Sequence, residues 1–479
     1  MTNRNIIRVE GSDREFNRLK ILFVLMLSLA MSLMAISSVN VTLPSLESGL
    51  GATDTDLQWV LSGYSLAFGI SLIPAGRAGD VMGRSSWFVI GAGLFTVGSL
   101  LCGLAPNALI LNLARVVQGL GAGIFSPQVT GMIQQYWHGG GRARAFAMFG
   151  LTISAAVAVG PVLAGGIVEA FGPVTGWRWT FFFYLPIGLL AVVLGLLWFP
   201  FDTERRRRRG SAAGRVDLDP IGTVLVVAVV LAIMYPFMAR QPLAWGLLAL
   251  APVLLWLWLR WERRYAEHGR EPIVDLNLFS FTSFRNGLLV SSANFLGMTS
   301  TFAVVAIYLQ SGLDVDALTV GLIGLPNAIL SAFSSVYTVR FVMSHGRRLA
   351  KFALMLLVVG TVTSLAAGWA IGTLGWPVWV LSITLAFNGI GMGAFGSANQ
   401  TLSMQDVPPE HGGTAGGIKQ TTERIATALG NAAITSIFFL FVAGGTYVGG
   451  FVAAFSAIAL CIMLAVGLAI MDERQHAGR

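Results

Sequence analysis

Fourteen apolar runs fill this chain, at 21–43, 57–75, 87–105, 108–131, 144–169, 178–200, 219–238, 243–260, 286–310, 317–341, 350–371, 376–400, 419–442 and 447–471. A helix needs about 20 such residues to cross the hydrocarbon core of a bilayer. A span in lipid must satisfy its own backbone hydrogen bonds, which favours helices over open strands, and the alternating pattern of an outer-membrane barrel is absent. Charged residues make up only 11% of the chain, against about 25% in a soluble protein. The chain therefore reads as an all-α polytopic membrane protein. The seventh and eighth runs are the least regular, broken by Pro236, Pro242 and Pro252.

Lysines and arginines gather in alternate loops. One set holds Arg77 and Arg84, Arg142 and Arg144, Arg205 to Arg209, Arg263, Arg264 and Arg270, and Arg347, Arg348 and Lys351. The other holds little more than Arg178 and Arg240. The positive-inside rule then puts both termini in the cytoplasm and requires an even number of spans. The net charge of +8 follows from this topology and does not call for nucleic acid. Arg205–Arg209 reads as an anchor on anionic lipid and marks the main linker, 202–217. Run 21–43 is too long for a typical signal core, so no cleavable signal is expected. Cys102 and Cys461 lie in apolar runs and read as small core residues, not as a disulfide. The expected location is the plasma membrane, as in a bacterial inner membrane.

A faint internal repeat runs through the sequence. A shift of 263 lays Arg77, Gly83 and Arg84 on Arg340, Gly346 and Arg347. A shift of 270 lays Gly119, Gly121 and Gly123 on Gly389, Gly391 and Gly393, and Gly160 on Gly430. The expected organisation is a six-helix bundle over 1–200, a basic linker with two inserted helices over 201–275, and a second six-helix bundle over 276–479. Paired repeats around a central site are a common transporter plan.

Three short segments carry chemistry. The first is Gly76-Arg77-Ala78-Gly79-Asp80-Val81-Met82-Gly83-Arg84, read as a polar loop between the second and third spans. Gly76 and Gly79 permit close helix approach. Asp80 suits the N-terminus of a helix in the other half, where the helix dipole favours a negative charge. Arg77 and Arg84 can hold it, so the segment reads as a conformational latch. An ordinary charged turn is the plain alternative. In the second half Met343 stands at the position of Asp80, so one latch is strong and the other weak. Lys419, Glu423 and Arg424, at the start of the thirteenth span, are possible latch partners. The second segment, 111–123, contains Arg115 with Gln118 on nearly the same face. An arginine in a membrane span is costly unless paired or hydrated, which makes it a functional candidate, with snorkelling as the alternative. The third is Gly160-Pro161-Val162-Leu163-Ala164-Gly165-Gly166, where proline bends the helix and small residues allow tight packing.

Together these segments resemble the loop, fourth-helix and antiporter motifs of the major facilitator superfamily, in its fourteen-span drug:proton antiporter branch. Leu57–Tyr64 and Pro272–Phe284 are also similar. The resemblance covers nearly the whole chain and implies a major facilitator fold of fourteen transmembrane helices. It further implies alternating access, multidrug efflux driven by proton entry, and a monomer among membrane lipids. The chain departs from the branch in its first helix, where Ala35 stands in place of the usual acid, a natural proton carrier.

Substrate and coupling residues are sought among Arg115, Gln118, Asn40, Gln58, Tyr64, Asn294, Tyr308, Asn327 and Asn388, although helix–helix hydrogen bonding explains any single amide. This set favours a neutral or anionic amphipathic substrate. No phosphate-binding loop, metal-ligand pattern or nucleophile–His–Asp set points to an enzyme or a cofactor. Two other readings stay open. One is a dedicated transporter of a single metabolite or lipid with diverged coupling. The other is a non-transporting membrane scaffold.

Overall fold

The computed structural model describes residues 6–8, 15–172, 174–201, 217–239 and 242–477. The Arg205–Arg209 run and Arg240 lie outside them. A two-stranded hairpin pairs Ile6–Arg8 with Glu15–Asn17. Among the described residues, the regular elements after it are helices. The helices are α1 (Arg18–Ser37), α2 (Val39–Leu50), α3 (Asp54–Met82), α4 (Arg84–Leu104), α5 (Ala108–Tyr136), α6 (Gly139–Phe171), α7 (Gly176–Phe182) and α8 (Tyr184–Trp198). They continue with α9 (Pro220–Ala239), α10 (Gly246–Glu267), α11 (Thr282–Met298), α12 (Thr301–Leu313), α13 (Ala317–Leu374), α14 (Val380–Ser403), α15 (Gly412–Ala443) and α16 (Tyr447–Ala477). Among the described residues, fourteen helical segments are long and apolar enough to cross a membrane. They coincide with the fourteen apolar runs.

Polar residues fix where several helices begin. Thr53 and Asp56 form a reciprocal capping box at the start of α3, and Asn107 and Asp316 cap α5 and α13. Such caps satisfy amides that have no partner in the first turn. The segment read as a loop at 76–84 is itself helical except at Gly83, whose φ of 112° lets the chain reverse between α3 and α4. A backbone torsion in that region costs glycine little. One residue before Gly346, the match of Gly83, α13 bends at His345, so its length covers two spans.

Contacts divide the chain into two compact units. The first comprises residues 1–138, 156–278 and 407–421; the second comprises 139–155, 279–406 and 422–479. In the first, the inserted helix α9 packs on α3, through Trp59 against Tyr235 with ring centroids 5.9 Å apart and Gly69 against Met234, and α10 packs on α9. Buried Asp219 fastens this pair, and buried Glu262 ties α10 to the segment after it. Asp219 accepts from the Gly222 amide and from Trp261 Nε1, both at 2.9 Å, and Glu262 accepts from the Val274 amide at 3.3 Å.

Each unit uses the same packing register. In the first, Gly119 faces the Tyr64 backbone, Gly121 the Phe95 backbone, and Gly160 Met34 and Ser37. In the second, Gly389 faces the Asn327 backbone, Gly391 Leu357 and Ala353, and Gly430 the Leu296 backbone. The offsets are those read from the sequence. Small residues here let helix backbones touch, which is the main source of association in lipid. Gly121→Val would drive a side chain into the backbone of α4. It is expected to lower stability by about 1–3 kcal/mol, seen as a lower thermal midpoint in detergent. Gly93→Ala, which meets open space, is the control.

Candidate functional site

Two clusters in the first unit hold most of the chemistry. The first lies at the end of α3. Asp80 is buried and sits at the first turn of α15. Its Oδ1 accepts from the Gly413 amide at 2.9 Å, and its Oδ2 accepts from the Thr414 amide at 2.7 Å and the Thr414 hydroxyl at 2.8 Å. Arg84 donates to the same carboxylate through Nε at 2.9 Å and Nη2 at 2.6 Å. Its remaining donors reach the Gly131 carbonyl, Gln135, and the Pro409 and Glu410 carbonyls. A carboxylate at a helix N-terminus with a forked guanidinium is a strong, directional arrangement.

The glycines make that approach possible. Gly76 lies on the Gly413 backbone, and Gly79 lies on the Gln128 side chain. Arg77 points elsewhere and pairs with Glu271 at 2.6 Å. Because Glu271 is largely exposed, that pair contributes little.

Lys419, Glu423 and Arg424 lie further along α15. Lys419 is buried in the first unit, whereas Glu423 accepts from Ser291 Oγ in the second. The groups that meet Asp80 are instead the free amides of the first turn, which only a helix start can offer. The signal for them was Gly412-Gly413-Thr414 just after two prolines, a helix start that side-chain charge alone does not reveal. Glu271 was missed for a similar reason: it lies far from Arg77 in sequence.

The second cluster surrounds Arg115 on α5. This side chain is 1% exposed. Its Nε donates to the Val60 carbonyl at 2.9 Å, and its Nη1 donates to Gln118 Oε1 at 2.6 Å. Nη1 also reaches the Ala35 carbonyl, at 3.5 Å. The guanidinium lies 4.3 Å from the Tyr64 ring centroid, a favourable cation–π geometry. Among the described residues no carboxylate forms an ion pair with it. Arginine stays charged in proteins, so a fixed positive charge sits among neutral groups.

The repeat separates framework from exception. Gln118 Nε2 donates to Ser99 Oγ at 2.7 Å; in the second unit Asn388, the match of Gln118, accepts from the hydroxyl of Thr361 at 3.2 Å through its Oδ1. These amides pin helices together in both units. The position that matches Arg115 is Leu385, whose carbonyl accepts from Asn327 Nδ2 at 2.8 Å. Arg115 is thus an addition to a shared framework.

The other polar candidates are spread out. Tyr64 donates to the Ser32 carbonyl at 3.1 Å, and Tyr308 to the Gly368 carbonyl at 2.8 Å. Asn294 is buried, with Met392 Sδ 3.9 Å from its Nδ2. Gln58 is half-buried and Asn40 exposed. In α6, Gly160 makes the close contact with α1 beside Pro161, whereas Gly165 and Gly166 have room around them.

Fourteen spans with one packing register used twice define a polytopic membrane protein built on an internal repeat. The chain belongs to the Major Facilitator Superfamily, whose family model matches residues 25–431. It is 30% identical over 411 residues, 84% of this chain and 69% of the other, to the "Probable actinorhodin transporter" of Streptomyces coelicolor. It is 31% identical over 413 residues, 83% of this chain and 77% of the other, to the "Puromycin resistance protein pur8" of Streptomyces alboniger. The crystal structure of the human organic anion transporter MFSD10 (TETRAN) matches with a TM-score of 0.69 at 15% identity, covering 94% of this chain and 99% of that one; this likeness shows the fold. The protein is a multi-pass membrane transporter of small molecules, not an enzyme.

Proposed function

We propose that this transporter exports neutral or anionic amphipathic small molecules in exchange for protons, by alternating access, as a monomer in the plasma membrane with both termini in the cytoplasm. The export reading draws on relatives named for actinorhodin transport and puromycin resistance. The substrate preference is carried by one observation: Arg115 is a buried cation with neutral partners only, and the second unit has no counterpart to it. Holding such a charge in a span costs about 2.5–3.5 kcal/mol on insertion scales. An anionic or hydrogen-bonding substrate would offset that cost. In this scheme the Asp80–Gly413–Thr414 latch breaks and reforms as the transporter changes state.

The test is uptake and efflux in proteoliposomes with an imposed pH gradient, over cationic, neutral and anionic amphiphiles. Gradient-driven flux is expected for anionic and neutral compounds and not for lipophilic cations. Flux of every compound that ignores the gradient removes proton coupling.

A second reading, a dedicated transporter of one metabolite or lipid with altered coupling, is favoured by Ala35 in the place of an acid. A deletion strain that accumulates a single compound, without broad drug sensitivity, supports that reading instead.

A further inference from the structure

The repeat that places Arg84 against Asp80 is incomplete in the second unit. Arg347 occupies the register of Arg84, but the residue four positions before it is Met343 in place of an acid. Where Arg84 has every donor engaged, Arg347 donates only from Nε, to Asp472 Oδ2 at 3.2 Å, and its Nη2 is buried without a partner.

A second arginine enters the same space. Arg142 Nη2 makes one long bond to the Gln405 carbonyl, at 3.4 Å, and its Nε is buried without a partner. Arg142, Arg347 and Arg348 line a cavity of about 540 Å³, against about 210 Å³ for the matching cavity beside Asp80 and Arg84. Glu473, the acid in that lining, is shared with Lys351 at 2.5 Å and lies 3.5 Å from Arg348. Three arginines against one acid leave the lining net positive even with Asp406 close to Arg142, and Arg142 and Arg347 each keep one guanidinium nitrogen without an acceptor. Arg347 takes its one carboxylate, Asp472, from another helix, whereas Arg84 takes Asp80 from its own motif.

We propose that this cavity binds a phosphate group, whose oxygens take the place that Asp80 fills in the first unit. Phosphate suits the site because its oxygens accept forked donation from more than one guanidinium. The cavity opens where the arginine-rich loops gather, and basic pockets among spans on such a face hold anionic lipid headgroups. A soluble phosphate offers the same chemistry.

The test uses the purified full-length transporter in detergent, titrated separately with phosphatidylglycerol, phosphatidylcholine and inorganic phosphate, with thermal midpoint and native mass spectrometry as readouts. Phosphatidylglycerol is expected to raise the midpoint and to remain bound, while phosphatidylcholine is not. Arg347→Gln and Arg142→Gln should each weaken retention about tenfold or more, the loss of one charge-assisted hydrogen bond. Met343→Asp supplies the missing carboxylate without removing a cation. It should abolish the response while keeping the ligand-free midpoint at or above that of the wild type. Stabilisation by inorganic phosphate alone, abolished by the same substitutions, assigns the site to a soluble phosphate. No stabilisation by either probe, or a response that survives both Arg347→Gln and Met343→Asp, overturns the proposal.

Discussion

Arg115→Met is expected to leave the transporter folded and to cut export of anionic substrates by about a hundredfold or more. The two halves of this result have separate causes. Arg115 is almost fully buried and bonded to neutral groups only. Methionine removes the cost of burying a cation, while the Gln118 Oε1 and Val60 carbonyl acceptors left behind cost about 1–3 kcal/mol, so the two effects largely offset. Removing the cation that meets a buried anion costs about 2–5 kcal/mol of binding, which gives the hundredfold figure. Arg115→Lys keeps the charge but loses the forked geometry, so it should recover part of the flux. Ala35→Asp tests the same charge from the other side. The Ala35 carbonyl lies 3.5 Å from Nη1, which brings an acid at this residue close to Arg115, and the expected result is a shift of preference from anions toward cations. Unchanged transport of every substrate by Arg115→Met would sink the assignment.

The sequence was most readable where bilayer physics is strictest. Fourteen apolar runs became fourteen spans because the hydrocarbon core sets helix length and forbids unpaired backbone. Gly119, Gly121 and Gly160 foretold the repeat because a helix contact in lipid needs small residues. Hydrophobicity said less about which face of a span is turned inward, since lipid and protein interior are both apolar. Gln118 and Asn388 therefore looked like substrate-binding amides, yet each bonds a hydroxyl on a neighbouring helix. Arg115 stood out from its charge alone, and the comparison of the two units separated it from the amides around it. The segment around Asp80 read as a loop from its polar content; its glycines instead serve a helix that continues to Met82. The amides that hold Asp80 belong to a backbone 333 and 334 residues away, and no side-chain pattern marks them.

Asp80→Asn carries the other large effect, because one buried carboxylate there satisfies Arg84 and the first turn of α15 together. The side chains of the Arg84–Asp80 pair are only 6% and 2% exposed. Breaking such a pair by removing one partner costs about 3–5 kcal/mol. Asparagine keeps the shape but replaces one acceptor oxygen with a donor, which would face the Thr414 or Gly413 amide or the Arg84 guanidinium. Two measurements separate this local event from general unfolding. Amide exchange at Gly413 and Thr414 should accelerate strongly, while the α4–α5 contact around Gly121 stays protected. Flux should fall at least as far as in Arg84→Gln, because that variant leaves Asp80 its helix-terminal donors whereas Asp80→Asn leaves a buried guanidinium without its counter-charge. Wild-type exchange at Gly413 and Thr414 in Asp80→Asn, together with wild-type flux, would show that the carboxylate is an ordinary helix cap with no part in the transport cycle.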